Sequence, residues 1–297
     1  MHELPRALAY NRVVDYPKPT EEIGMVKFSL LGIPHDDNSS YMKGPAEAPP
    51  LIRQKLYCDA YGDFSESGVE IGAQGRIEDH GDIQFAGTST DPWALIENTV
   101  TQVMESGNPL ICLGGDHAIT HPIMRAVRRR HPRLTIVHID AHPDIYHVYQ
   151  GNMRSHASPF ARIMEEQLAD RLIQAGLRCV TDHHREQFRR FGVEAIEAAR
   201  CDQPLQFRLT TPVYVSIDID ALDPAYAPGV SHREPGGLSP RQVINWLHSI
   251  DQPIVAADIV EYNPRCDLAE LTAGVAAKLV KEVGGMMVKN KPAQIQH

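Results

Sequence analysis

A three-layer α/β/α fold, with helices on both faces of a mostly parallel central sheet, is what this sequence predicts. Three observations predict it. Stretches with strand character alternate with stretches of helical character along the chain. The strand candidates are continuously apolar, as strands buried on both faces are. Four of them run straight into polar clusters, and in such sheets ligands gather at the carboxyl ends of the strands.

In chain order, residues 1–24 are polar and proline-bearing and read as an N-terminal extension; the whole of 1–297 reads as one domain. The first strand is expected within Met25–Gly32, before a long loop, HDDNSSYMKGPAEAPP, rich in turn formers. Pro50 opens a first helix with Leu51, Ile52 and Leu56. A Gly-rich segment, Gly68–Gly81, leads to Asp91-Pro92, a cap followed by proline at the first helical position, and Gly107 stops that helix. Pro109–Leu113 is a short buried strand and His121–Arg130 a helix whose basic end suits the helix dipole. Strands follow at Leu134–Ile139, Arg171–Val180, Pro212–Ile219 and Pro253–Val260, with helices at Pro159–Ala169, Glu186–Phe191 and Pro240–Ile250. Ser239-Pro240-Arg241-Gln242 is a capping box. Asp267 caps a final Leu/Ala/Val-rich helix reaching Gly284.

Hydrophobic residues make up 42% of the chain and charged residues 23%, ordinary for a soluble globular protein. The net charge of −9 argues against nucleic-acid and anionic-membrane partners and suits a small cationic one. No apolar run approaches a membrane span. The five cysteines are widely spaced with no CxxC, which points to a reducing compartment without disulfides or a thiolate metal site. With no signal or transit peptide pattern at the N-terminus, the expected location is cytoplasmic.

The stretch HIDAHPDIY, His138–Tyr146, crowds Asp140, His142 and Asp144 into five residues at the end of an apolar strand. Two carboxylates and an imidazole so placed repel and lose solvation unless a cation holds them. His117 after Gly114-Gly115-Asp116, and Asp218 and Asp220 after the strand PVYVSIDI, add further donors at other strand ends. Singly, each has a structural reading as a cap or a backbone partner. Together, four converging carboxylates without cations would be strongly repulsive. Hard oxygen plus imidazole, with no sulfur, suits Mn²⁺ or a similar divalent ion such as Ni²⁺ or Co²⁺. Four carboxylates balance two such ions, and paired ions lower the pKa of a shared water toward neutrality.

The motifs GGDHAIT, DAHPD, SIDIDALDP and DIVEYNP resemble those of the ureohydrolases, the arginase and agmatinase family, over nearly the whole chain. NSSYMKGPAEAPPLIR, DIYHVYQGNMRSHASPFARIMEE and YAPGVSHREPGGLS are most similar to its plant-type branch. The resemblance implies an eight-stranded sheet of the arginase/deacetylase type and a trimer or hexamer. It also implies hydrolysis of a small linear guanidine, agmatine or arginine, to urea and an amine by a hydroxide bridging two Mn²⁺. One ion would be held by His117, Asp140, Asp144 and Asp218, the other by Asp140, His142, Asp218 and Asp220. Asp144 would also accept a hydrogen bond from the hydroxide, and Asp223 would be structural. His156 would protonate the departing amine and Glu261 would pair with the guanidinium, roles that a near-neutral acid and a bidentate carboxylate suit.

For the substrate's far end, Asn152 is the counterpart of a polar loop residue of animal arginases, whereas Thr181 stands where those enzymes have Asp. Arg233, in Ser231–Gly237, is a candidate partner for a substrate carboxylate, which would favour arginine or another guanidino acid. His147, His183, His184 and His232 read as loop or surface residues, with His232 at the site mouth. Alternatives to this enzyme are a hydrolase of another guanidine, a single-zinc deacetylase-like enzyme and an inactive metal-binding scaffold.

Overall fold

A computed structural model describes residues 26–72, 76–201 and 205–290; the expected N-terminal extension lies outside them. Eight strands form one sheet: β1 (Phe28–Ile33), β2 (Ile77–Asp82), β3 (Leu110–Gly114), β4 (Thr135–Ile139), β5 (Arg171–Leu177), β6 (Glu194–Glu197), β7 (Val213–Asp218) and β8 (Ile254–Val260). Their spatial order is β2-β1-β3-β8-β7-β4-β5-β6, and every pairing is parallel.

Side chains on successive strand residues point to opposite faces, so each central strand supplies two cores. In β3, Ile111 and Leu113 join one core while Leu110 and Cys112 join the other; in β4, Val137 and Ile139 face one and Ile136 the other. The first core is covered by α1 (Ala48–Leu56), α6 (Pro240–His248) and α7 (Leu271–Lys289). The second is covered by α2 (Pro92–Met104), α3 (Thr120–Arg130) and α4 (Pro159–Glu165), with α5 (Asp182–Phe191) adding Phe188 and Phe191. Burial on both faces is why the central strands read as unbroken apolar runs.

The differences from the sequence expectations have local causes. β2 and β6 are edge strands, mostly exposed, and carry no apolar run, so IEDHGD and EAIE gave no strand signal. α1 begins at Ala48 because Pro49 and Pro50 both fit a first turn, where no backbone donor is needed. α5 starts four residues earlier than expected. Thr181 accepts from the His184 backbone N–H and the His184 ring accepts from the Thr181 N–H, a capping box closed by histidine instead of Glu or Gln. Asp267 does cap α7, accepting the N–H groups of Thr272 and Ala273.

A buried histidine gives this fold an expected acid sensitivity. Trp93 Nε1–H donates to His121 Nδ1 at 3.3 Å, so the His121 proton sits on Nε2, which faces Glu166 Oε1 at 3.0 Å. Burial pushes this imidazole down to about 4, against the pull of Glu166. The folded-state pKa lies below the unfolded value of about 6.5, so the unfolded chain binds more protons between those limits. Stability is therefore expected to fall as pH drops from about 6.5 toward 4. In urea unfolding across that window, His121→Gln, which keeps one acceptor and one donor, should reduce the slope by up to ~1.4 kcal/mol per pH unit; an unchanged slope would remove this account.

Candidate metal centre

Four adjacent central strands, β3, β8, β7 and β4, deliver the site from their carboxyl ends: His117 after β3, Asp140–Asp144 after β4, Asp218 and Asp220 at β7, and Glu261 after β8. Convergence needs close backbone approach. A Cβ on Gly115 would lie 1.8 Å from the His35 carbonyl oxygen, so only glycine lets the β3 end pass beneath the loop after β1. Asp144 (φ 46°) and Glu261 (φ 63°) both hold left-handed backbone conformations unusual for such residues. Two strained residues in one pocket mark a functional site.

His117 Nδ1 lies 3.2 Å from Asp140 Oδ2, 3.0 Å from Asp144 Oδ2 and 3.2 Å from Asp218 Oδ2, yet makes a directed hydrogen bond with none of them. Donor atoms of these four buried residues all fall within 4.8 Å of one another. A second group joins Asp140, His142 and Asp220, with His142 Nδ1 3.1 Å from Asp220 Oδ2 and 3.5 Å from Asp140 Oδ1. Asp140 belongs to both. Asp218 belongs to the first only; its Oδ1 accepts the Asp220 backbone N–H at 2.7 Å.

The electrostatics are those of a cluster short of positive charge. Burial, reinforced by Asp220 and Asp140, pushes the Asp218 carboxyl well up. Burial opposes a charged His117, but contacts with Asp140, Asp144 and Asp218 raise it well above its usual range. An orphaned buried nitrogen aimed at three carboxylate oxygens is satisfied by a cation, and the donor set of imidazole and carboxylate suits a divalent one. The residues present fit such an ion.

Surrounding residues hold these donors in place. His117 Nε2–H donates to Ser216 Oγ at 2.9 Å, leaving the lone pair of the neutral ring on Nδ1; Ser216 Oγ–H donates to Asp258 Oδ1 at 2.6 Å. Tyr214 and Thr120 hydroxyls donate to Asp258 Oδ2. His138 Nε2–H donates to Asp140 Oδ2 at 2.8 Å, and Gln174 Nε2 donates both to His138 Nδ1 and to the Pro143 carbonyl, bracing Asp140 and the strained Asp144 turn together. Arg178 donates to the carbonyls of Asp220, Ala221 and Glu234. None of these supporting residues was singled out from the sequence for the site. The available signal was polar side chains inside apolar strands: Ser216 and Asp258 are register partners in β7 and β8.

His156 and Glu261 come together. His156 Nδ1 is 2.8 Å from Glu261 Oε1, which also accepts the His117 backbone N–H at 2.9 Å. Burial opposes a charged His156, but the Glu261 carboxylate lifts it to about 9. Both line a cavity of about 390 Å³ with Asp144, Asp218, Asp220 and His142. His232, expected at the mouth, lines it too, as do His184 and Thr181. Asp223 accepts the Ala225, Gly236 and Gly237 N–H groups, a structural turn as expected.

Two expected substrate contacts are placed elsewhere. The Arg233 guanidinium donates to the Pro228 and Cys266 carbonyls, and Asn152 Nδ2 donates to Asn38 Oδ1; neither residue lines the cavity. Local sequence does not show this: Asn38 lies 114 positions from Asn152 and Cys266 lies 33 positions from Arg233, and the nearer partner, Pro228, offers only a backbone carbonyl.

Comparison with known proteins agrees with this geometry. The arginase family profile matches residues 26–285. Arginase 1, mitochondrial, of Arabidopsis thaliana is 46% identical over 278 residues, covering 88% of this chain and 81% of that protein. The N(1)-aminopropylagmatine ureohydrolase of Thermus thermophilus is 33% identical over 282 residues, covering 90% and 92%. The solved structure of an arginase from Medicago truncatula superposes with a TM-score of 0.84 at 42% identity, covering 88% of this chain and 87% of that one. Fold, site and relatives define a hydrolase acting on guanidino compounds. The chain belongs to the arginase family, on its plant-type arginase branch.

The cytoplasmic expectation is corrected by the same comparison. Several similar plant arginases are named mitochondrial or chloroplastic. Unpaired cysteines report redox conditions and carry no address. No helix among the described residues is long and apolar enough to cross a membrane.

Proposed function

We propose that this protein is a binuclear manganese amidinohydrolase that cleaves arginine or agmatine to urea and the corresponding amine. The observation that carries the reading is the pair of adjacent donor groups sharing Asp140, with the orphaned His117 Nδ1 at the centre of one. In this reading His117, Asp140, Asp144 and Asp218 hold one ion and Asp140, His142, Asp218 and Asp220 the other. Two divalent ions bound there supply a water ionised near neutral pH.

The remaining work falls to the chain's own side chains. A guanidinium carbon is a poor electrophile and needs rigid orientation toward the nucleophile. Glu261 provides it: Oε1 is engaged by His117 N–H and His156, which leaves Oε2 for the planar cation. Amine departure requires a proton, and His156 is the acid within reach. Relatives named arginase and N(1)-aminopropylagmatine ureohydrolase support a linear guanidine with a long tail. The single eight-stranded sheet running through the described residues supports one ureohydrolase domain. A trimer or hexamer is the proposed assembly, supported by the family resemblance and tested by light scattering.

The direct test is urea release from arginine, agmatine and other guanidines after loading with Mn²⁺, Ni²⁺ or Co²⁺, alongside metal analysis. Two ions per chain and Mn²⁺-dependent urea release are expected. One zinc per chain, or no urea from any guanidine, would overturn the reading. Chelation should also lower the thermal midpoint, because ions that bind only the folded state contribute about 4 kcal/mol at a thousandfold excess over Kd; calorimetry with and without chelator checks this.

A further inference from the structure

We propose that Ser40 is a catalytic proton relay between His156 and the departing amine, a role that rests on the amidinohydrolase reading above. Ser40 lies in the loop after β1 and lines the same cavity as His156 and Glu261. Its Oγ is 2.8 Å from His156 Nε2, and its backbone N–H donates to the same nitrogen at 3.2 Å. On the other side of the ring, Nδ1 is 2.8 Å from Glu261 Oε1. A ring nitrogen has one in-plane direction for giving or taking a proton. Ser40 occupies that direction at Nε2 and Glu261 occupies it at Nδ1, so no substrate atom can take the proton from His156 directly. The Ser40 hydroxyl is the group through which it must pass.

The loop is pinned in that position. The Asn38 N–H donates to Asp116 Oδ2 at 2.9 Å, the His156 N–H donates to the Asn38 carbonyl at 3.2 Å, and Asp36 Oδ2 accepts the N–H groups of Gly44 and Ala46. The hydroxyl itself remains a rotor. With His156 neutral, Oγ–H donates to Nε2. With His156 protonated, the Ser40 backbone N–H gives up its bond to Nε2, Nε2–H donates to Oγ and the hydroxyl hydrogen turns into the cavity. Burial opposes the charge, but the Glu261 carboxylate at Nδ1 favours the protonated ring, and His232 faces it at 5.6 Å between ring centres.

In the step itself the bond between the central carbon and the departing nitrogen breaks, and its electron pair stays on that nitrogen. The nitrogen takes the Ser40 Oγ–H, and Oγ takes the Nε2–H. His156 is left neutral with its Nδ1–H on Glu261. One proton moves from His156 to the amine, and Ser40 is regenerated unchanged.

The test compares metal-loaded wild type, Ser40→Ala and Ser40→Thr on whichever guanidine wild type turns over. Ser40→Ala should lower kcat by about 10²-fold with KM changed by less than about threefold and both ions retained, as loss of a proton-transfer group requires. Ser40→Thr, which keeps the hydroxyl, should recover most of that loss. Nitrogen NMR of the metal-free protein should show the His156 Nε2 resonance shifted in Ser40→Ala and near its wild-type position in Ser40→Thr. Ser40→Ala with kcat within about twofold of wild type overturns the relay and leaves the amidinohydrolase reading standing. So does a rise in KM at unchanged kcat. Covalent labelling of Ser40 by an organic phosphonofluoridate would make it a nucleophile and overturn the relay as well. Absence of urea release by wild type removes the amidinohydrolase reading, and the relay with it.

Discussion

Asp140→Asn should fold, lose one or both ions and release urea at least ~10³ times more slowly than wild type, because several kcal/mol of transition-state stabilisation disappear with the ions. Asp140 is the residue common to both donor groups, with Oδ2 3.2 Å from His117 Nδ1 and Oδ1 3.5 Å from His142 Nδ1. Asparagine keeps the shape, and its carbonyl can still accept from His138 Nε2–H. It removes the negative charge and one of the two oxygens, so no single orientation serves both groups. The fold should persist, because Asp140 lies at a strand end and its loss removes a charge that raises the Asp218 and Asp220 carboxyls. Metal analysis and steady-state urea release together decide the matter. Two tightly held ions with turnover within tenfold of wild type would show that Asp140 is not shared.

Glu261→Gln should lower kcat/KM by about 10²- to 10³-fold, with kcat and KM both affected. The glutamine carbonyl can still accept from His117 N–H and from His156 Nδ1–H, and the left-handed backbone at φ 63° need not change. What is lost is the charge. The guanidinium then meets an amide in place of a carboxylate, which weakens binding and orientation. His156 also loses the neighbour that lifts it to about 9. A pKa falling toward the ordinary histidine value leaves less of the protonated ring at neutral pH. The alkaline limb of the kcat profile should therefore move to lower pH, and an unmoved limb would separate His156 from the acid role.

The candidate metal donors stand out in the sequence because of where they lie. His117, Asp140, His142, Asp144, Asp218 and Asp220 each follow a run of apolar residues, and polar groups in that position are either caps or ligands. The central strands and the capped helices α2 and α6 were legible for similar reasons: apolar continuity, Asp91-Pro92 and Ser239–Gln242 act over a few residues. The edge strands β2 and β6 were not, because their pairing depends on a neighbour and their side chains face solvent.

The supporting shell was hidden for a different reason. Ser40 meets His156 across 116 positions and His117 meets Ser216 across 99, and no local pattern encodes such distances. Arg233 shows the converse. Its charge and its place in a conspicuous motif made it a substrate candidate, yet its guanidinium is held by the Pro228 and Cys266 carbonyls.

By itself the sequence determined the class of fold, the family and the chemical type of each candidate ligand, because these follow from residue identity and from periodicity along the chain. Only the tertiary structure decided which oxygens face His117 Nδ1, that both hydrogen bonds to Glu261 fall on Oε1, and that the Ser40 hydroxyl lies 2.8 Å from His156 Nε2 in the same cavity. Those are relations between strand ends and loops, set when the parallel sheet brings β3, β8, β7 and β4 side by side.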